Sequence, residues 1–122
     1  MSNLKINTRR ADDVVIMDLE GPIRLGETNI DLHKAVRELV DAGEKKMILN
    51  LARVTHIDSS GLGEMVAGHA SVEKNGGEMK LLNLSERVAD LMMMTKLITV
   101  FDVFENEQIA IASFGSGASA AA

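Results

Sequence analysis

Two serines follow an aspartate in Asp58-Ser59-Ser60, and these residue types in this order are the best candidates in the chain for carrying chemistry. A serine hydroxyl can act as a nucleophile when a neighbouring base removes its proton, and it can also accept a phosphate from a kinase. Serine and aspartate are equally the residue types that cap helices, because their oxygens accept hydrogen bonds from the first backbone N–H groups. A helix cap is therefore the purely structural interpretation of the same residues.

The surrounding sequence does not support a hydrolytic or nucleotide-binding site. A serine hydrolase needs a base beside its nucleophile, commonly with a G-x-S-x-G elbow, and the chain has no such elbow. Nothing in the spacing places a histidine against Ser59; the three histidines are His33, His56 and His69. Gly61-Leu62-Gly63 would need a third glycine at position 66 for a dinucleotide fingerprint, and Val66 is there instead. We therefore predict no catalytic residue and no cofactor.

Composition excludes further classes of site. The chain has no Cys, which rules out disulfides and Cys-ligated metals, and no two histidines have the i, i+3 or i+4 spacing of metal ligands. The formal net charge of −5 provides no basic surface for nucleic acid or anionic lipid. No run approaches the ~20 apolar residues that cross a membrane, and the first residues lack the pattern of a signal peptide. We expect a cytoplasmic protein that binds no metal, no nucleic acid and no membrane.

Strand and helix patterns alternate along the chain. Strands are predicted over residues 4–8, 14–19, 47–51, 79–84 and 98–104. Helices are predicted over residues 27–42 and 59–75, after a capping Ser85, and more weakly over 106–114. This alternation predicts one α/β domain with helices packed on a sheet. The domain takes in residues 1–114, and residues 115–122 are predicted to form a flexible C-terminal tail.

Two patterns place strands within the predicted sheet. Residues 47–51 are almost continuously apolar, which is typical of a central strand covered on both faces. Residues 4–8 alternate apolar and polar types, which is typical of an edge strand with one solvated face. Pro22 has no N–H to donate to a ladder, so the second strand is predicted to end at Gly21-Pro22, where its pairing fails or shifts to an edge. The turn at Asp58-Ser59-Ser60 therefore lies between the central strand and the second helix.

Gly61 and Gly63 follow within the first turn of that helix. Each glycine costs about 1 kcal/mol relative to alanine inside a helix. Two such costs in one turn indicate close approach by another backbone or another molecule at this corner. The first N–H groups of the helix also carry the positive end of its dipole, which favours an added phosphate.

The stretch from Val54 to Gly63 resembles the STAS-domain family, specifically the bacterial anti-sigma factor antagonists. The segments 48–51, 75–79 and 97–101 support the resemblance, which covers about residues 4 to 114. It implies a single STAS domain with a mixed, mainly parallel β-sheet and packed α-helices. It also implies a regulator that is not an enzyme and that acts by switching partners.

The resemblance further implies how the switch works. In this family the serine after the aspartate is phosphorylated by an anti-sigma factor that is itself a serine kinase, and a PP2C-type phosphatase reverses the step. Carried over to this chain, the phosphorylated residue is Ser59. The unmodified form would bind the anti-sigma factor, so that the sigma factor is free, and the phosphorylated form would be released. The partner-binding residues carried over are Asp58, Ser59, Ser60, Gly61, Leu62, Gly63, Ile23 and Arg24.

Arg24 departs from the family pattern, because well-studied relatives carry an acidic residue at about this place. This reversal of charge bears on which kinase the chain recognises and not on its fold. A second interpretation stays open: the same fold can serve as a scaffold or regulatory subunit of transporter-associated or lipid-transport proteins without phosphate control. A weak homodimer is also left open.

Overall fold

The computed structural model describes residues 4–24 and 26–121, which form a sheet with helices on both faces. The strands are β1 (Lys5–Ala11), β2 (Val14–Ile23), β3 (Lys46–Ile57), β4 (Glu78–Leu82) and β5 (Val103–Phe104). The helices are α1 (Glu27–Asp41), α2 (Ser59–Lys74), α3 (Glu86–Met94) and α4 (Glu107–Ala121), with a 3₁₀ turn at Leu97–Thr99 before β5. The predicted α/β architecture is confirmed.

Among the described residues the five strands lie in the order β1-β2-β3-β4-β5. Strands β1 and β2 form an antiparallel hairpin, and the pairs β2/β3, β3/β4 and β4/β5 are parallel. The sheet is therefore mixed and mainly parallel, as the family resemblance implied. Strand β3 lies at the centre and β1 at an edge, so both predicted placements are confirmed.

Side chains alternate along each strand, so the sheet has an apolar layer on each face. Leu49 of β3 points into the layer under α1, α2 and α3, whereas its neighbour Ile48 points to the opposite layer under α4. The larger layer includes the buried helix residues Leu32, Val36, Leu62, Met65, Val72, Val88 and Met92. The smaller layer includes the buried residues Val14, Ile16, Ile48, Leu82, Ala110 and Phe114. Burying each side chain of this size contributes roughly 1.5–3 kcal/mol.

The strands differ from the prediction at their ends. Pro22 does not end β2, because β1 pairs with β2 only as far as Glu20 and no strand on that side needs the missing N–H. Strand β3 continues to Ile57 instead of ending at Leu51. The predicted strand over residues 98–104 is mostly wrong, since it forms the 3₁₀ turn and only the two-residue strand β5.

Helix α4 confirms the weak helical pattern after residue 106 and extends beyond it. It runs from Glu107 to Ala121 and so includes most of the segment predicted as a tail. The flexibility of residues 115–122 stays a prediction, and Ala122 lies outside the described residues.

Candidate functional site at the start of α2

Asp58 caps the helix that begins at Ser59. Its backbone is extended (φ −108°, ψ −178°), and its Oδ1 accepts a hydrogen bond from the Gly61 N–H, with 2.8 Å between the two heavy atoms. Its carbonyl oxygen accepts a second bond from the Leu62 N–H at 2.9 Å. Because Asp58 occupies the cap, Ser59 and Ser60 are the first two residues of the helix itself.

Ser59 is exposed at this first helical position, whereas Ser60 is half-buried. Within residues 4–24 and 26–121, no hydrogen bond is found on the Ser59 hydroxyl. The first turn of α2 contains no acidic residue, so Asp58 at the cap is the carboxylate nearest in sequence to the first N–H groups of the helix. The hydroxyl is thus open to another molecule and stands where a helix favours an anion.

The end of β2 packs tightly against this turn. The Asp58 N–H donates to the Ile23 carbonyl oxygen, with 3.3 Å between the heavy atoms. A Cβ atom on Gly61 would lie only 2.3 Å from that same oxygen. Gly61 is therefore glycine because another part of this chain approaches it, as the sequence suggested. This contact also brings the exposed Arg24, which follows Ile23, to the same corner.

Gly63 has a different environment. It is exposed, and no heavy atom lies within 4 Å of the place that a Cβ would occupy. Ser59, Gly63 and Ala67 follow at intervals of four residues and so share one face of α2. Ala67 and Ala70 are also exposed. We call this surface, formed by Ser59, Gly63, Ala67 and Ala70, the small-residue face of α2.

The residues predicted to bind a partner divide into two groups. Ser59, Gly63 and Arg24 are exposed, and Asp58 and Ser60 are half-buried. Ile23, Gly61 and Leu62 are buried, with Ile23 at 0% and Leu62 at 1% exposure. These three hold the corner in place from beneath and offer no side chain to a partner.

His33 and His69 contact residues other than Ser59. His69 lies edge-on to the ring of Phe101, with 5.1 Å between the centroids, and its Nδ1 is 3.7 Å from Glu73 Oε1. His33 Nδ1 on α1 is 2.5 Å from Glu64 Oε1 on α2. His56 is half-buried near the end of β3. In the described part of the chain, no hydrogen bond joins a histidine to Ser59.

Sequence reasoning missed a polar network on the sheet face that α4 leaves open. Arg9 of β1 donates to both Asp18 of β2 and Glu107 of α4, with closest N–O distances of 2.6 Å each. The Asn50 amide of β3 donates to Asp18 Oδ1 at 2.8 Å. These residues come from four separate elements, so no local sequence motif predicts the network. Arg9, Asp18 and Asn50 border an open cleft of about 380 Å³.

Arg9 sets the charge state of this network. Its hydrogen bonds hold the pKa of Asp18 below the ordinary value, with a smaller contribution from Asn50, and they lower the pKa of Glu107 likewise. The two carboxylates in turn raise the pKa of Arg9. Both carboxylates are therefore ionised at neutral pH, and α4 is joined to the sheet at its first turn.

Two other kinds of site are absent from residues 4–24 and 26–121. No group of three or more His, Asp or Glu side chains there is arranged to hold a metal ion. No helix in this part of the chain combines the length and apolarity needed to cross a membrane.

A family model for the STAS domain matches residues 5–110, nearly the whole described chain. The chain belongs to the STAS-domain family. The anti-sigma-B factor antagonist of Bacillus subtilis (strain 168) is 31% identical to this STAS domain over 101 residues, which are 83% of this chain and 91% of the relative.

Solved structures share the fold. The Bacillus cell fate determinant SpoIIAA in its phosphorylated form aligns with a TM-score of 0.70 at 20% identity, covering 90% of this STAS domain and 99% of that chain. A sulfate transporter family protein from Wolinella succinogenes aligns with a TM-score of 0.68 at 23% identity, covering 84% and 85% of the two chains. The same fold thus occurs in both regulatory and transporter-related proteins.

Proposed function

We propose that this STAS domain is an anti-sigma factor antagonist, and that phosphorylation of Ser59 releases it from its partner. The observation that carries the proposal is the exposed Ser59 hydroxyl on the first turn of α2, where Asp58 already supplies the cap. The 31% identical relative is named an anti-sigma-B factor antagonist, and a structural neighbour with this fold is described in a phosphorylated form.

The fold can accept a phosphate at Ser59 without unfolding. A phosphoserine adds about −1.5 to −2 charge at neutral pH. Backbone N–H groups at a helix N-terminus stabilise such an anion. The small-residue face next to Ser59 leaves room for the group, because a Cβ on Gly63 would have no neighbour within 4 Å. The modification therefore changes the surface and leaves the core unchanged.

The same phosphate would disrupt a docked partner. A protein seated on the small-residue face would contact Ser59 closely, since Gly63, Ala67 and Ala70 have short or no side chains. Burying a phosphate in that contact costs desolvation and adds repulsion wherever the partner is shaped for a neutral hydroxyl. Every ~1.4 kcal/mol of this cost lowers affinity tenfold, so release follows from one modification.

The partner of the unmodified form is an anti-sigma factor with serine kinase activity, and a PP2C-type phosphatase restores the hydroxyl. Arg24 is exposed at the same corner, so its positive charge bears on which kinase partner the chain recognises. In this scheme the protein itself catalyses no reaction, has no cofactor, contacts no nucleic acid directly and acts in the cytoplasm.

Substitutions at Ser59 test this scheme. The tagged chain is expressed in its native cell, and the proteins that copurify are identified for wild type, Ser59→Ala, Ser59→Asp and the matched control Ser60→Ala. We expect the kinase partner with wild type, Ser59→Ala and Ser60→Ala, and at least tenfold less of it with Ser59→Asp. Purified partner and ATP should release wild type and Ser60→Ala but not Ser59→Ala. Phosphate found by mass spectrometry on Ser60 alone would contradict the assignment.

A second candidate function is a scaffold or regulatory subunit without phosphate control. The observation in its favour is the likeness to the sulfate transporter family protein. This function predicts a stable complex that forms equally with wild type and Ser59→Asp. Addition of ATP should not dissociate it. The copurification experiment therefore separates the two candidates.

A further inference from the structure

The end of β3, which presents Asp58 and Ser59, does not pair regularly with β2. From Asp18 to Glu20, two steps along β2 are matched by three steps along β3, from Asn50 to Arg53. From Gly21 to Pro22, one step is matched by two, from Val54 to His56. Strand β3 thus carries two β-bulges, which bend a strand and increase its twist. The direction in which β3 leaves the sheet depends on them.

The bulges also decide which side chains of β3 are buried. Leu51, Val54 and Ile57 are buried, while Arg53 and Thr55 are exposed. In a regular strand Arg53 and Thr55 would share the face of Leu51 and point into the core. Without the first bulge this end of the strand could not keep its apolar residues inside, and the turn into α2 would move with it.

Asn50 holds the first bulge through its side chain. Its Oδ1 accepts a hydrogen bond from the Ala52 N–H, with 3.2 Å between the heavy atoms, so a backbone donor inside the bulge has a partner. Its Nδ2 donates to Asp18 Oδ1 at 2.8 Å, which fixes the orientation of the amide. Asn83 Nδ2 donates to Asn50 Oδ1 at a longer distance of 3.4 Å.

We infer that Asn50 is a positioning residue for the Ser59 corner. By satisfying the Ala52 N–H it selects the bulged register of β3, and that register determines where Asp58 and Ser59 meet a partner. Asn50 does not touch the partner and acts through the backbone of its own strand. The functional part of this inference rests on the proposed role of Ser59, whereas its structural part does not.

The test compares substitutions at two members of the network. Asn50→Ala removes the acceptor for the Ala52 N–H. Asn83→Ala is the matched control, because it removes another amide bonded to Asn50 and leaves the bulge contact intact. Asn50→Asp keeps the acceptor but sets two carboxylates side by side. The double variant D18N/N50D exchanges the amide and the carboxylate, which restores a donor–acceptor pair without changing the net charge.

The first readout is the ¹⁵N–¹H NMR spectrum of the amides of residues 58–63. We expect these signals to shift in Asn50→Ala and in Asn50→Asp, to return toward wild type in D18N/N50D, and to stay in place in Asn83→Ala. Unchanged signals in Asn50→Ala, or equal shifts in Asn83→Ala, would overturn the inference. If Asn50→Ala fails to fold, the comparison of Asn50→Asp with the double variant decides the same question.

The second readout is phosphorylation of Ser59 by the kinase partner that the copurification experiment identifies. Loss of one positioning hydrogen bond should raise KM about 3- to 10-fold in Asn50→Ala and leave it unchanged in Asn83→Ala. If the wild-type chain is never phosphorylated, the proposed function is disproved. The NMR comparison would then still test whether Asn50 positions residues 58–63. A normal KM for Asn50→Ala with a wild type that is phosphorylated would disprove the positioning role alone.

Discussion

Gly61 and Gly63 lie two positions apart on α2, but only Gly61 has no room for a side chain. A Cβ on Gly61 would lie 2.3 Å from the Ile23 carbonyl oxygen, closer than any real contact of this kind. We therefore expect Gly61→Ala to lower the free energy of unfolding by roughly 1–3 kcal/mol, the range found for overpacking. Urea unfolding followed by circular dichroism measures this change.

Gly63→Ala is the matched control, because a Cβ there has no neighbour within 4 Å. Alanine has a higher helix propensity than glycine, so this variant should gain up to about 1 kcal/mol in the free energy of unfolding. The added methyl group would lie on the small-residue face and should weaken partner binding several-fold. A loss of stability in Gly63→Ala equal to that in Gly61→Ala would show that both glycines are required by the chain itself.

Asp58 stabilises α2 through its cap, independently of any partner. Its carboxylate bonds the Gly61 N–H at 2.8 Å, and Ser85 caps α3 in the same way through the Val88 N–H at 3.3 Å. Asp58→Ala and Ser85→Ala should each lower the free energy of unfolding by about 0.5–2 kcal/mol. Only Asp58→Ala should also weaken partner binding, as measured by isothermal titration calorimetry. Equal binding losses in both variants would assign the effect to general destabilisation.

Among the elements, α4 depends on charge for part of its attachment. Arg9 joins its first turn to β2 through Glu107 and Asp18, and it lowers the pKa of both carboxylates. A carboxylate whose pKa is lower in the folded chain adds stability above its unfolded pKa and loses it as the pH falls toward the folded value. The ordinary pKa values are 3.8 for Asp18 and 4.5 for Glu107. Stability should therefore fall with pH below about 4.5.

Glu107→Gln and Arg9→Gln should each flatten this acid dependence. Glu105→Gln serves as a control, because its exposed carboxylate is only two residues away. Because the side chains of Arg9 and Glu107 are about 42% and 32% exposed, each pair should contribute only about 0.2–1 kcal/mol at neutral pH. Urea unfolding at a series of acidic and neutral pH values measures the slope. A slope unchanged in both variants would mean that other carboxylates govern acid unfolding.

The elements also show where sequence patterns suffice and where they fail. The strand, cap and helix start around Asp58 are local, so residue order predicts that a helix begins at Ser59. The second half of β3 escapes prediction because Leu51, Val54 and Ile57 are spaced by three, which is the spacing of a bulged strand and not of a regular one. The contacts of Asn50 and Ile23 could not be predicted either, because they join separate strands and helices.

At the scale of the whole molecule, the two faces of the sheet differ in how they are covered. Helices α1, α2 and α3 enclose one face and position Ser59, whereas α4 covers only part of the other. Lys80 lies under α4 with only 5% of its surface exposed; its Nζ donates to Ser113 Oγ at 2.9 Å and lies 4.6 Å from the centroid of Phe114. Ala110 and Phe114 of α4 are the buried helix residues that the structure describes in the smaller layer.

Two truncations test this dependence. A chain that ends at Phe114 keeps every residue that the structure describes in the smaller layer, so its free energy of unfolding should change by less than about 1 kcal/mol. A chain that ends at Phe104 loses Phe114 and Ala110 and exposes Ile16 and Ile48. Deleting one buried phenylalanine costs about 3–5 kcal/mol, so this chain should lose a large part of the roughly 5–15 kcal/mol typical of a domain. Calorimetric unfolding of both chains measures the difference, and equal losses would place part of the fold's stability in residues 115–122.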